Sequence, residues 1–180
     1  VPMLIPTHEP ALVLRSWRLS DRDSLKDVAD SGNIAQFMRD EFPHPYTKSA
    51  ASEDLGEIGG PHADTHFALE WQGKVIGEIH FNPQKDILRH SCFLGYWVGE
   101  EYWGNGYMSS AVKTLVNWIF EKTELIRIIA RVFANNFASI KVLEKNGFQQ
   151  EGYFSKAVLK NGVLIDQVQY SLLKDSPLKP

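Results

Sequence analysis

The stretch Phe93–Val116 reads FLGYWVGEEYWGNGYMSSAVKTLV. An apolar run, Phe93–Val98, leads into a glycine-bearing loop, Gly104-Asn105-Gly106. Behind the loop, Met108, Ala111, Val112, Leu115, Val116, Ile119 and Phe120 recur at i, i+3, i+4, i+7 and i+8 spacing, which predicts an amphipathic helix over Tyr107–Lys122. Strand, glycine loop and helix start, in that order, form an anion cradle. The loop can turn its N–H groups toward a phosphate, and the helix dipole favours negative charge there. A tight strand-to-helix turn without ligand is the plain alternative.

Two familiar phosphate motifs fit badly. A dinucleotide fingerprint wants a third glycine where this chain has Ser109, and an acid at the end of the next strand. That strand, Ile126–Ala134, ends in Phe133-Ala134-Asn135-Asn136, without an acid. A P-loop needs Gly-Lys-Ser/Thr at the helix start, and here the residues are Gly106-Tyr107-Met108.

A second element follows. Asn136-Phe137-Ala138-Ser139-Ile140-Lys141-Val142-Leu143-Glu144-Lys145-Asn146-Gly147-Phe148 predicts a helix over Phe137–Lys145, with Asn136 as N-cap and Ser139 at the third helical position. Gly147 and Phe148 fit a Schellman ending over Leu143. Together with EYWGNGYMSSA this segment resembles the GCN5-related N-acetyltransferase (GNAT) superfamily, in the branch of the Rim-type ribosomal-protein N-terminal acetyltransferases. The family's later pattern, N-x-x-S-x-x-x-L-x-K-x-G-F, is met at Asn136, Ser139, Leu143, Lys145, Gly147 and Phe148. Its loop pattern, Q/R-x-x-G-x-G/A, keeps Gly106 but has Trp103 at the first position and Met108 at the last. Asp40–Thr47 near the front also looks like this branch, so the likeness spans nearly the whole chain.

The resemblance implies an α/β (α+β) fold: a mixed, mostly antiparallel sheet with a central splayed parallel strand pair and helices on both faces. It implies acetyl-CoA as acyl donor, with the pantetheine arm paired to backbone atoms of Trp97 and Val98. The pyrophosphate would lie on the N–H groups around Trp103, Gly104, Asn105, Gly106, Tyr107, Met108 and Ser109. Asn136 and Ser139 would also face the cofactor, Ser139 near the departing sulfur as a general acid. The expected activity is N-acetyl transfer to a primary amine, either a protein N-terminus or a small molecule. Use of another acyl-CoA, or a catalytically silent CoA-binding regulatory module, are the alternatives.

Period-two alternation in Val75–Phe81 places Ile76, Glu78 and His80 on one face, and Val75, Ile79 and Phe81 on the other. Two ionisable groups on an inner strand suggest a cleft, because an unpaired buried charge is costly. Glu78 matches a position used as base in some relatives. His80, Asp40, Glu41 and His44 are alternates, the last three because the Phe42–Tyr46 loop would overlie the acceptor. Tyr96 and Tyr102 read as packing aromatics.

The rest of the chain predicts a strand over Ala11–Arg15, then a short helix capped by Ser20 and carrying Leu25, Val28 and Ala29 on one face. A second short helix is expected around Ile34, Phe37 and Met38, and a third over Thr47–Ile58, stopped by Gly59-Gly60-Pro61. Strands Thr65–Trp71 and Lys74–Phe81 join at Gln72-Gly73, and Val158–Lys160 and Val163–Leu172 flank the hairpin turn Asn161-Gly162. At 180 residues, with 43% hydrophobic content and a formal charge of −3, the expectation is one ordinary globular domain over residues 1–180. Val1-Pro2 reads as a cloning scar.

No basic stripe points to nucleic acid and no membrane-length apolar run is present, so neither is an expected partner. A homodimer is left open. The expected location is the cytoplasm. Cys92, the single cysteine, reads as a buried core thiol. The six histidines are scattered along the chain, none at ligand spacing from Cys92, so no metal site is expected.

Overall fold

The computed structural model describes residues 2–58, 60 and 62–174. Val1 of the supposed scar, and Gly59 and Pro61 of the expected helix stop, lie outside the described residues. Among the described residues eight strands pair in the order β1-β2-β3-β4-β5-β6-β8-β7. They are Leu4–Pro6, Leu12–Ser16, His66–Trp71, Lys74–Pro83, Ser91–Val98, Arg127–Phe133, Gln149–Lys160 and Val163–Leu173 (β1 to β8). Among the described residues the α-helices are Arg22–Ala29, Gly32–Ala35, Lys48–Ile58, Tyr107–Lys122 and Phe137–Lys145 (α1 to α5). The sheet is mostly antiparallel with one parallel pair, β5–β6, as expected. No helix among the described residues is long and apolar enough to cross a membrane.

Two compact units divide the chain: 1–80 with 96–114, and 81–95 with 115–180. In the first, β2 and β3 carry Leu12, Leu14, Phe67 and Leu69, all nearly inaccessible to solvent. A second apolar cluster gathers Leu25, Ala29, Ile34, Tyr46, Ala51, Leu55 and Trp97. The Leu25–Ala29 spacing anticipated this buried face of α1. The cap differs: α1 starts at Arg22 after a 3-10 turn over Leu19–Asp21, so Asp21 replaces Ser20 at the helix entrance. Asp21 is held there by Arg15, whose buried guanidinium grips it with two bonds of 2.7 and 2.9 Å and reaches Glu70 at 2.5 Å. Burial lowers the pKa of Arg15, but the two carboxylates outweigh that and hold it above the ordinary value.

In the second unit the parallel ladder pairs Ser91 with Arg127, Cys92 with Ile128 and Phe93 with Ile129. Both strands continue beyond the last of these pairs. Helix α5 has the expected ends. The Asn136 side chain accepts the Ser139 N–H at 3.2 Å. At the other end Phe148 N–H reaches Leu143 O at 3.1 Å and Gly147 N–H reaches Glu144 O at 3.0 Å, the Schellman pattern. Cys92 is fully buried, and desolvation pushes its thiol up to about 12, so it behaves as a core residue.

Candidate active site

The glycine loop of the first unit is shaped by its own residues. Gly104 and Gly106 adopt φ of 76° and 78°, the left-handed region that favours glycine, and a Cβ at either would point into open space. The Asn105 amide donates to the carbonyls of Tyr102 and Trp103, both at 3.1 Å, which ties the loop back on itself. The first closing bond of α4 runs from Ser110 N–H to Gly106 O, so the helix begins directly at the second glycine. The Trp103 indole N–H donates to Val98 O at 2.8 Å, bracing the end of β5. Met108 and Trp97 are buried. Tyr107 and Tyr102 both pack against Trp71, with ring centroids 5.2 and 6.3 Å away.

Beside β5, Gly77 of β4 is a point of close backbone approach. A Cβ there would lie 2.4 Å from Trp97 O and 2.9 Å from the Val98 Cα, so no larger residue fits without displacing the strand. A register shift between Leu69 and Glu70 pairs Leu69 with Gly77 but Glu70 with Val75. The period-two count therefore holds from Gly77 to Phe81 and fails through Val75–Ile76. Glu78 and His80 keep their common face.

That face carries a cluster of titratable groups. Glu78 Oε1 lies 2.9 Å from His80 Nδ1, and their side chains are 13% and 22% exposed. His66, directly opposite His80 in the register, stacks on it with centroids 4.6 Å apart and planes 9° from parallel. Ligand atoms of His66, Glu78 and His80 all lie within 4.8 Å of one another. Burial, then the neighbouring His80, pushes His66 down to about 4, so its ring is neutral near pH 7. Tyr46, almost fully buried, donates its hydroxyl proton to the Asp54 carboxylate. Burial and the charges of Glu78, Glu57 and Glu53 raise the Asp54 carboxyl, although the Tyr46 bond opposes them.

Of this cluster the sequence reading named Glu78 and His80 and did not name His66 or Asp54. The signal for His66 exists only across strands, since it needs the β3–β4 register. Of the other alternates, His44 faces Asp30 at 3.6 Å, and its ring packs over Gly32. Asp40 and Glu41 are exposed. In the second unit, Asn136 and Ser139 are half-buried at the start of α5, joined by the cap bond already described.

Comparison with known proteins agrees with this architecture. The model of the acetyltransferase (GNAT) domain matches residues 11–149, and the chain belongs to that family. It is 30% identical over 169 residues to the N-acetyltransferase p20 of Bacillus licheniformis, covering 91% of this chain and 93% of the relative. A Rim-type relative is also found: the ribosomal-protein-serine acetyltransferase of Escherichia coli is 30% identical over 110 residues, 61% of each chain. Among solved structures, the ribosomal L7/L12 α-N-protein acetyltransferase RimL in complex with coenzyme A shares the fold. Its TM-score is 0.84 at 23% identity, over 96% of this chain and 99% of that one.

Proposed function

We propose that this chain transfers the acetyl group of acetyl-CoA to a primary amine by direct attack in a ternary complex. The observation that carries the reading is the pairing, within the first unit, of a left-handed glycine loop opening α4 with a half-buried Glu78–His80 pair on β4. The N–H groups of Gly104–Ser109 would cradle the pyrophosphate, and backbone atoms of Trp97 and Val98 would pair with the pantetheine arm. The amine attacks the thioester carbonyl carbon, the C–S bond breaks, and the amine's proton passes to Glu78 directly or through water. Ser139, at the family's position for this role, would return a proton to the departing thiolate.

Magnitudes suit an acidic amine. A protein α-amine has a pKa of about 7.7–8.0 and a lysine amine about 10.4, so near pH 7 roughly a tenth of the former is neutral and well under a thousandth of the latter. An N-terminal amine needs only modest help from a base, and a leaving thiol near pKa 8.5 needs only modest help from an acid. Positioning the two reactants would supply the larger share of the rate. The Rim-type relative's name, which specifies a ribosomal-protein serine, points the same way.

The test is thiol release from acetyl-CoA across a panel of N-terminal peptides and small amines. Turnover with at least one acceptor is expected. Tight CoA binding without turnover on any would instead favour a silent binding module. Within an active pair, Glu78→Gln should lower turnover by about 10²-fold at low pH, where the amine is protonated, with the defect shrinking as pH rises. Wild-type rates at every pH would remove Glu78 from the chemistry.

A further inference from the structure

We propose that His66, Glu78 and His80 form a three-ligand site for a divalent transition metal of the zinc type. The three side chains project from one face of neighbouring antiparallel strands, His66 directly across from His80 and Glu78 two residues before it. Their ligand atoms already lie within 4.8 Å of one another. Tetrahedral zinc holds nitrogen and oxygen ligands at about 2.0–2.2 Å, which places them roughly 3.4 Å apart. The proposed site therefore needs the three side chains to close up by about 1 Å. Residue 68, opposite Glu78 on β3, is an alanine, so no bulky cross-strand side chain competes for the space over the carboxylate.

The hydrogen bonds prepare the ligands. With the Thr65 hydroxyl directed to His62 O at 3.3 Å, the 3.0 Å contact between Thr65 Oγ1 and His66 Nδ1 takes its proton from the ring. This tautomer leaves the lone pair on His66 Nε2. Between His80 Nδ1 and Glu78 Oε1, a metal would take the place now held by the bridging proton. Two imidazoles and a carboxylate are the donor set of a zinc site that keeps a fourth position for water. Imidazole donors favour zinc, copper and nickel over magnesium or calcium.

A consequence follows that rests on the proposed function: a metal at this site would occupy the base. Micromolar zinc would then silence acetyl transfer, and chelation would restore it. Binding and inhibition are separable by experiment. The chelator-treated full chain is titrated with Co(II), read by its visible absorption, and with Zn(II), read by calorimetry, alongside His66→Gln and His80→Gln. Thermal unfolding reports that each variant is folded.

One metal per chain is expected, with affinity lowered at least about tenfold in each variant. His66→Gln, measured against its own metal-free turnover, should resist zinc inhibition by the same factor. No saturable binding, or His66→Gln binding like the wild type, overturns the site. Zinc that binds and is lost in both variants, yet leaves turnover untouched, supports the site and removes Glu78 from the base role.

Discussion

Helices α4 and α5 begin in opposite ways. At α5 a side chain closes the end: Asn136 accepts the Ser139 N–H at 3.2 Å, and the helix start is served by its own sequence. At α4 the chain enters through Gly104 and Gly106 at φ near 77°, with nothing within 4 Å of where their Cβ atoms would stand. The only side chain in that loop, Asn105, spends its amide on upstream carbonyls. A helix end needs partners for its first N–H groups. The capped end of α5 finds one in the Asn136 side chain, whereas the α4 entrance is lined by glycines with open space beside them, where we propose the pyrophosphate lies. Two helix starts that look alike in sequence, a polar residue before an apolar helix, thus differ in form: one is closed by a side chain and the other is entered through open glycine backbone.

Gly106→Val is the strongest way to break this contrast. A β-branched residue at φ 78° costs about 1–3 kcal/mol in backbone strain, and its side chain would fill the open space the glycine leaves. CoA affinity measured by calorimetry should fall by about 100-fold or more, while the fold persists by circular dichroism. A folded variant that binds CoA normally would remove the cradle from the loop.

Asn136→Ala sharpens the other side. Losing an N-cap costs about 1 kcal/mol, which lowers the melting temperature of a chain this size by about 2–4 °C. Asn136→Ser keeps the cap and should restore stability. We expect CoA affinity to stay weakened in the serine variant, because the family motif assigns Asn136 a cofactor contact as well. Recovery of both stability and affinity would make Asn136 a cap alone.

What could be read from the chain divides along the same line. Helices α4 and α5 were bounded correctly because their signals are local: a glycine pair, an Asn cap, a Schellman end and an unbroken apolar stripe. The Gln72-Gly73 and Asn161-Gly162 turns were legible for the same reason. Strand β1 escaped notice because its three residues form no period, and its neighbour is anchored to it by pairing and by the Met3 N–H to Ser16 Oγ bond. The first half of β7, Gln149–Phe154, reads as polar and irregular, and is a strand only through its register with β8. Ser20 looked like a cap because nothing in the sequence shows that Arg15 will claim Asp21. At the candidate site, Glu78 and His80 share a strand and were visible, whereas His66 and Asp54 reach the same region only through tertiary structure. Local chemistry was legible and cross-strand chemistry was not.

Trp103→Ala should have the smallest effect, and its size discriminates between two uses of the residue. The family pattern has a glutamine or arginine here, whose side chain could touch phosphate. In this chain the indole N–H is spent on Val98 O, and the ring is nearly half exposed. If Trp103 only braces the strand end that leads into the loop, its removal costs one neutral hydrogen bond, worth about 0.5–1.5 kcal/mol, or roughly two- to tenfold in CoA affinity. Trp103→Phe keeps an aromatic ring and deletes the donor, so it should weaken binding as much as alanine does. A phenylalanine variant that binds like the wild type would transfer the role from the hydrogen bond to the ring's bulk. A loss in either variant as large as that of Gly106→Val would mean that the indole itself meets the phosphates, and the backbone of the loop would no longer carry the cradle by itself.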